Sequence, residues 1–116
     1  MSFVRACALA DVPEDEALGV TIGSTAVAVA RDGEEVFAVQ DRCSHADVAL
    51  SEGEVTDCTV ECWLHGSSFD LRTGKPTGLP ATEPVATFPV EVRETPDGTT
   101  DVYVDTTTTL NGVTPS

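Results

Sequence analysis

The sequence is poor in basic residues and in long apolar runs, and each shortage excludes a class of function. Six residues are Lys or Arg and twenty are Asp or Glu, which gives a formal net charge of −14. The phosphates of nucleic acids would repel such a chain, so we expect no nucleic-acid partner. No apolar run approaches the ~18 residues of a membrane-spanning helix, and Met1–Arg5 opens into polar sequence too quickly for a signal peptide. We expect a cytoplasmic protein without a membrane partner.

The sequence also lacks the sustained 3.6-residue apolar period of an amphipathic helix, which argues against a helical fold. Short segments rich in Val, Ala, Thr and Phe alternate with turn residues, and Asp32-Gly33 is typical of a hairpin turn. We therefore predict an all-β antiparallel sandwich, with a further turn at Pro96-Asp97-Gly98. The predicted strands are Phe3–Ala8, Ala17–Ile22, Thr25–Arg31, Val36–Gln40, Val55–Cys62, Ser67–Leu71, Val85–Val92 and Asp101–Val104.

The length of 116 residues is enough for one domain with its own hydrophobic core. We place this domain at residues 1–105. Residues 106–116 are rich in Thr and contain few apolar side chains, so we expect them to form a disordered tail.

The two histidines of the chain each stand beside a cysteine. The first block is Cys43-Ser44-His45 and the second is Cys62-Trp63-Leu64-His65, with sixteen residues between them. Two thiolates and two neutral imidazoles favour a chemically asymmetric metal centre. In a Rieske centre, two Cys bind one iron of a [2Fe–2S] cluster and two His bind the other iron. The spacing C-x-H followed by C-x-x-H is typical of such a centre.

A structural zinc site is the main alternative, because tetrahedral Cys₂His₂ zinc is common. Zinc fingers, however, pair Cys with Cys and His with His, whereas each block here supplies one of each. A catalytic Cys–His nucleophile is a poorer interpretation, since no third group or oxyanion motif accompanies either pair. We interpret the other two cysteines, Cys7 and Cys58, as small residues within strands.

The flanks of the second block carry a resemblance to a known family. His65-Gly66-Ser67-Ser68-Phe69-Asp70 is followed by Thr73-Gly74-Lys75-Pro76. From about Phe3 to Val104, the chain resembles the Rieske ferredoxins of bacterial aromatic-ring-hydroxylating dioxygenase systems. The resemblance implies a Rieske-type antiparallel β-sandwich with a cluster-binding subdomain of two loops. From the predicted strands, we expect these loops to stand on two neighbouring hairpins. It implies one [2Fe–2S] cluster per chain, bound by Cys43, His45, Cys62 and His65.

Some positions depart from the quinol-oxidising branch of that family, whose two loops are joined by a disulfide. Val48 and Leu64 occupy the positions of its cysteines, and Phe69 stands where that branch has a Tyr that bonds a ligand sulfur. Ser67 matches the Ser that bonds a bridging sulfide. We therefore expect a reduction potential in the lower part of the Rieske range. Trp63 stands where the family usually has Pro. It either shields the cluster or forms part of a docking surface, or it serves only as simple hydrophobic cover.

The resemblance implies an electron carrier and not an enzyme. We expect a monomer that takes one electron from a flavin-dependent ferredoxin reductase and passes it to a terminal oxygenase. An oxygenase needs two further His and a carboxylate for its mononuclear iron, and His45 and His65 are the only His in the chain. A redox sensor or an accessory protein of iron–sulfur cluster assembly remains an alternative.

Acidic residues are concentrated between the two ligand blocks. This charge favours docking to a basic protein surface, although it could also serve only to keep the protein dispersed. The residues are Asp47, Glu52, Glu54, Asp57 and Glu61.

Overall fold

The regular structure consists of short strands joined by tight turns and two 3-10 turns. The computed structural model describes residues 3–33, 35–42, 48–63, 67–77 and 83–113, and within them there is no α-helix. The 3-10 turns are Leu9–Asp11 and Leu50–Glu52. The strands are β1 (Val4–Ala8), β2 (Leu18–Ile22), β3 (Thr25–Asp32), β4 (Glu35–Gln40), β5 (Val55–Thr56), β6 (Thr59–Glu61), β7 (Ser68–Asp70), β8 (Thr87–Phe88), β9 (Val90–Glu94) and β10 (Thr100–Val104).

These strands form three antiparallel sheets. The first sheet has the order β1-β10-β9, the second β2-β3-β4-β8 and the third β5-β6-β7. Gly23 and Gly33 both have φ = 63°, and they lie in the two-residue turns that join β2 to β3 and β3 to β4. Such turns need positive φ, which Gly adopts without steric cost. The predicted all-β fold and the hairpin at Asp32-Gly33 are confirmed.

The second sheet is buried on both faces, and β3 shows why. Val27 and Val29 belong to a hydrophobic cluster shared with the first sheet, whereas Ala28 and Ala30 belong to a cluster shared with the third sheet. All four are fully buried. Because strand side chains alternate between faces, one run of apolar residues covers both cores. Cys7 lies in β1, as predicted, and it is buried in the hydrophobic cluster that the second sheet shares with the first sheet.

Two predicted strands are each divided in the structure. Val55–Cys62 contains a turn at Asp57 and Cys58, which have φ of 50° and 61°, between the paired strands β5 and β6. The prediction that Cys58 is a strand residue is therefore wrong. Val85–Val92 is divided at Pro89, and its two parts join different sheets, β8 the second and β9 the first. Proline has no N–H to donate to a sheet and so marks this change of sheet.

Residues 106–113 make specific contacts, which corrects the expectation of a disordered tail for this part of it. The backbone N–H of Leu110 donates to the Thr87 carbonyl at 2.8 Å. The Asn111 amide nitrogen donates to the carbonyl oxygens of Thr73 at 2.9 Å and Val85 at 2.8 Å. A disordered segment would lack such hydrogen bonds, so the segment belongs to the fold. Residues 114–116 lie outside the described residues.

Candidate metal centre

Cys62 is the one predicted ligand that lies within the described residues. It follows β6 directly, and its side chain is fully buried. Cys43, His45 and His65 lie outside the described residues, as does Asp47. The structure therefore describes the centre through Cys62 and through the segments that lead into and out of the ligand blocks.

Cys62 stands at the end of the hairpin formed by β6 and β7. Its backbone N–H donates to the Ser67 carbonyl at 2.6 Å, which closes the connection of residues 63–66. Ser67 and Phe69 are two residues apart next to and within β7, so their side chains share one face of the strand. Both are fully buried. The second ligand block therefore stands on a hairpin, as predicted.

The first ligand block does not stand on a hairpin, which corrects the prediction. It follows β4, which pairs with β3 and β8, and it leads to β5, which pairs with β6 in another sheet. A side-chain contact closes its base instead. Asp41 Oδ1 accepts the backbone N–H of Ser51 at 2.7 Å, and Asp41 Oδ2 accepts the Ser51 hydroxyl at 2.7 Å.

A third connection, residues 76–84, begins and ends beside the other two connections; its residues 78–82 lie outside the described part of the chain. At its start, the Thr77 N–H donates to the Ser68 carbonyl at 2.7 Å. Beyond its end, the Ala86 N–H donates to Gln40 Oε1 at 2.9 Å, and Gln40 Nε2 donates to the Arg42 carbonyl at 2.9 Å. The bases of the three connections therefore adjoin one another.

One hydrophobic cluster joins the segments that flank all three connections. Leu50 follows the first ligand block, Cys62 belongs to the second, and Val85 follows the third connection; Phe69 packs in the same cluster. All four side chains are fully buried, and half-buried Val48 packs against them. A fully buried cysteine beside a fully buried serine fits a thiolate ligand that is shielded from water.

Trp63 and three glutamates form the adjoining surface. Trp63 is 50% exposed, although Cys62 beside it in the chain is fully buried. Glu16 lies opposite Glu54 in an isolated bridge, and the Glu61 N–H donates to the Glu54 carbonyl at 2.8 Å. Glu16, Glu54 and Glu61 are thus cross-strand neighbours, and all three are exposed. We call them the glutamate row.

Glu16 was absent from the acidic residues singled out in the sequence. It is distant in sequence from the other two glutamates, and only the pairing of its segment with Glu54 brings it into the row. No sequence periodicity signals such an isolated bridge.

Cys7 is a buried thiol and Cys58 is a half-buried one, and the pKa of each is shifted in the direction that favours the protonated form. Burial is the main cause that raises the pKa of each above that of an ordinary cysteine. Metal binding and nucleophilic chemistry need the thiolate, which a raised pKa disfavours. No disulfide joins the three cysteines that the structure describes, Cys7, Cys58 and Cys62.

Among the described residues, no helix has the length and apolar character needed to cross a membrane.

Comparison with known proteins identifies relatives across nearly the whole chain. A family model described as the Rieske [2Fe-2S] domain matches residues 2–89. The 3-phenylpropionate/cinnamic acid dioxygenase ferredoxin subunit of Shigella boydii is 45% identical over 106 residues, covering 90% of this chain and 94% of the relative.

Two solved structures are also similar. The ferredoxin of carbazole 1,9a-dioxygenase from Nocardioides aromaticivorans has a TM-score of 0.80 and 33% identity, covering 90% of this chain and 97% of that one. A chain in a complex of reduced oxygenase and oxidized ferredoxin in carbazole 1,9a-dioxygenase has a TM-score of 0.77 and 35% identity, covering 88% and 91%.

Proposed function

Because this chain belongs to the Rieske [2Fe-2S] family, we propose that it serves as the ferredoxin of a bacterial aromatic-ring dioxygenase system. It is an electron carrier and not an enzyme, like the dioxygenase ferredoxin subunits that it resembles. In the proposed role it takes one electron from a flavin-dependent ferredoxin reductase and passes it to a terminal oxygenase. The observation that carries this proposal is the 45% identity to a dioxygenase ferredoxin subunit over 90% of the chain.

The proposed ligands are Cys43 and Cys62 on one iron and His45 and His65 on the other, with one cluster per chain. When bound, the cluster accepts and gives up one electron, and its imidazole ligands raise its potential above that of an all-thiolate cluster. Cys62 supports this assignment because it is fully buried at a hairpin end, beside the closing hydrogen bond to Ser67. The buried Ser67 side chain is the candidate donor to a bridging sulfide.

The residues around the proposed ligands keep the site in nearly the same arrangement when the cluster gains or loses an electron. Phe69, Leu50 and Val85 exclude water from the side on which Cys62 is buried. The Asp41–Ser51 contact and the Gln40 amide fix the segments around the first ligand block. An environment that is fixed and partly shielded from water suits an electron carrier, because the charge of its cluster should change without movement of the ligands.

The proposed docking surface is the glutamate row with Trp63. The formal net charge of −14 and the exposed carboxylates of the row favour a basic partner surface and accelerate association at low salt. An exposed Trp at the centre of an interface is a common anchor residue. The relatives serve 3-phenylpropionate/cinnamic acid and carbazole dioxygenases, so the proposal extends to the class of aromatic-ring dioxygenases and to no particular substrate. We propose that the protein acts as a monomer in the cytoplasm.

A pair of cysteine variants tests the cofactor and its ligands. We expect the purified protein to be red-brown and to contain iron and acid-labile sulfide in equal amounts, about two of each per chain. Cys62→Ser should lose the cluster, because a hydroxyl is a poor replacement for a thiolate ligand. Cys58→Ser is the matched control, since Cys58 lies in the turn before β6, and it should retain iron and sulfide. A Cys62→Ser protein with the wild-type cluster content, or zinc without sulfide in the wild type, would contradict the assignment.

A further inference from the structure

We propose that Asp41 and Ser51 are positioning residues: their side-chain contact, the Asp41–Ser51 clamp, fixes the first ligand loop and thereby the geometry of the cluster. The inference rests on the proposed function, because it takes Cys43 and His45, which lie between the two residues, to be cluster ligands. Neither Asp41 nor Ser51 is proposed as a ligand.

The clamp is a two-point contact between a carboxylate and a serine. Asp41 Oδ1 accepts the Ser51 backbone N–H and Asp41 Oδ2 accepts the Ser51 hydroxyl, each at 2.7 Å. Hydrogen bonds to an ionised carboxylate are shorter and stronger than those between neutral groups. Two bonds in different directions also fix the orientation of both residues, which a single bond would not.

Both ends of the clamp are anchored in the fold. The Asp41 backbone N–H donates to the carbonyl of Ala26 in β3 at 3.0 Å. Ser51 lies in the 3-10 turn Leu50–Glu52, and Leu50 is fully buried in the hydrophobic cluster that contains Cys62. The clamp therefore ties the first ligand loop to the second sheet at one end and to the surroundings of Cys62 at the other.

Gly19 indicates that strand β2 is fitted around the clamp. A Cβ on Gly19 would lie 2.8 Å from Ser51 Oγ and 2.9 Å from Asp41 Oδ2, closer than non-bonded atoms approach. Gly19 pairs with Ala28 in the regular β2–β3 ladder, and a glycine weakens the interior of a strand. A Cβ at this position would therefore have to displace the side chain of Ser51 or Asp41.

The adjacent Gln40 holds the same end of the loop. Its Oε1 accepts the Ala86 N–H and its Nε2 donates to the Arg42 carbonyl, one residue before Cys43. The two residues that precede Arg42 are therefore both fixed by their side chains. A loop restrained at its base gives its ligands a narrow range of positions, which should hold the cluster geometry constant and slow cluster loss.

The test compares Ser51→Ala with Thr99→Ala. Ser51→Ala removes one bond of the clamp without changing the charge. Thr99 is the matched control, because its hydroxyl donates to Asp97 Oδ1 at 2.9 Å and its N–H to the same oxygen at 3.2 Å, in the turn before β10. Each variant thus removes the hydroxyl from a contact in which an Asp carboxylate accepts both a hydroxyl and a backbone N–H. The holoproteins are compared by the rate of cluster loss to a chelator, by EPR of the reduced cluster and by melting temperature.

We expect Ser51→Ala to lose its cluster about tenfold faster and to show broadened EPR lines, while Thr99→Ala matches the wild type in both. Asp41→Asn is the second variant, and it should broaden the EPR lines in the same way. If both clamp variants lower only the melting temperature and leave the EPR lines and the loss rate unchanged, the clamp is purely structural and the inference is overturned. Cys43→Ser separates the two proposals: if it retains the cluster, the ligand assignment has failed, whatever the clamp variants show.

Discussion

Phe69 is the residue through which the environment of the cluster can be changed without replacing a ligand. It is fully buried, packs in the same hydrophobic cluster as Cys62 and shares a strand face with Ser67. Its ring offers no hydrogen bond to sulfur. Hydrogen bonds to the sulfurs of a cluster stabilise the reduced, more negative form, so their number sets the potential within the Rieske range.

We predict that Phe69→Tyr raises the reduction potential by tens of millivolts. One added hydrogen bond to a ligand sulfur is worth ~1 kcal/mol, and for a one-electron couple ~59 mV corresponds to about 1.4 kcal/mol. Protein-film voltammetry measures the shift. Phe69→Leu should leave the potential nearly unchanged. Phe37→Tyr is the matched control, because half-buried Phe37 packs against the same hydrophobic cluster as Phe69, beneath the Arg72 guanidinium. An intact cluster with no upward shift in Phe69→Tyr would show that the hydroxyl does not face a sulfur.

At the scale of single residues, the sequence predicted the chemistry of the site better than its geometry. Two Cys and two His in mixed pairs predicted the kind of centre, and the family comparison confirms a Rieske [2Fe-2S] domain. The clamp between Asp41 and Ser51 could not be predicted, because an Asp and a Ser ten residues apart carry no pattern. The ligand assignments of Cys43, His45, Cys62 and His65 remain predictions.

At the scale of strands, composition predicted where the chain is extended but not always where it turns. Segments rich in Val, Ala, Thr and Phe, bounded by turn residues, located the predicted strands, including both members of the β3–β4 hairpin. The turn at Asp57 and Cys58 was missed because it lacks the glycine that normally marks positive φ. The division at Pro89 was visible as a proline, but the change of sheet depends on packing between sheets.

The segment after β10 was misjudged because its threonines suggest disorder, whereas one asparagine holds it in place. Asn111 donates to the carbonyls of Thr73 and Val85, and its Oδ1 accepts the Thr87 N–H at 3.3 Å. Gly74 leaves the space for this amide, since a Cβ there would lie 2.7 Å from Asn111 Nδ2.

We predict that Asn111→Ala lowers the free energy of unfolding by about 1–3 kcal/mol, because it leaves the carbonyl of fully buried Val85 without its amide donor. Urea denaturation followed by circular dichroism measures the change. Leu110→Ala is the matched control, because the Leu110 side chain is 66% exposed in the same segment and its backbone bond to Thr87 is retained. If the two variants have the same free energy of unfolding, the Asn111 hydrogen bonds do not contribute to the stability of the fold.

At the scale of the whole molecule, the net charge was evident from the sequence but its arrangement was not. Like charges directly opposite one another on neighbouring strands destabilise a sheet. The glutamate row places three such residues side by side, and Glu61 directly precedes Cys62 in the chain. Under the proposed function, this arrangement costs stability and accelerates association with a basic partner.

The glutamate row therefore predicts opposite effects of one substitution on stability and on electron transfer. Glu54 is the middle member of the row, so Glu54→Gln should raise the free energy of unfolding at low salt by a few tenths of a kcal/mol. It should also slow reduction of the terminal oxygenase at low ionic strength, and the difference from wild type should shrink as salt screens the charges. Stopped-flow kinetics over a salt series and urea denaturation measure the two effects.

Glu94→Gln is the matched control, because exposed Glu94 ends β9 in the first sheet, which packs on the other face of the second sheet. Both variants change the net charge by one unit, so a difference between them reports the position of the charge and not its total. We expect Glu94→Gln to have a much smaller effect on the rate. If both variants slow electron transfer equally, the partner senses only the overall charge, and the docking surface does not lie at the glutamate row.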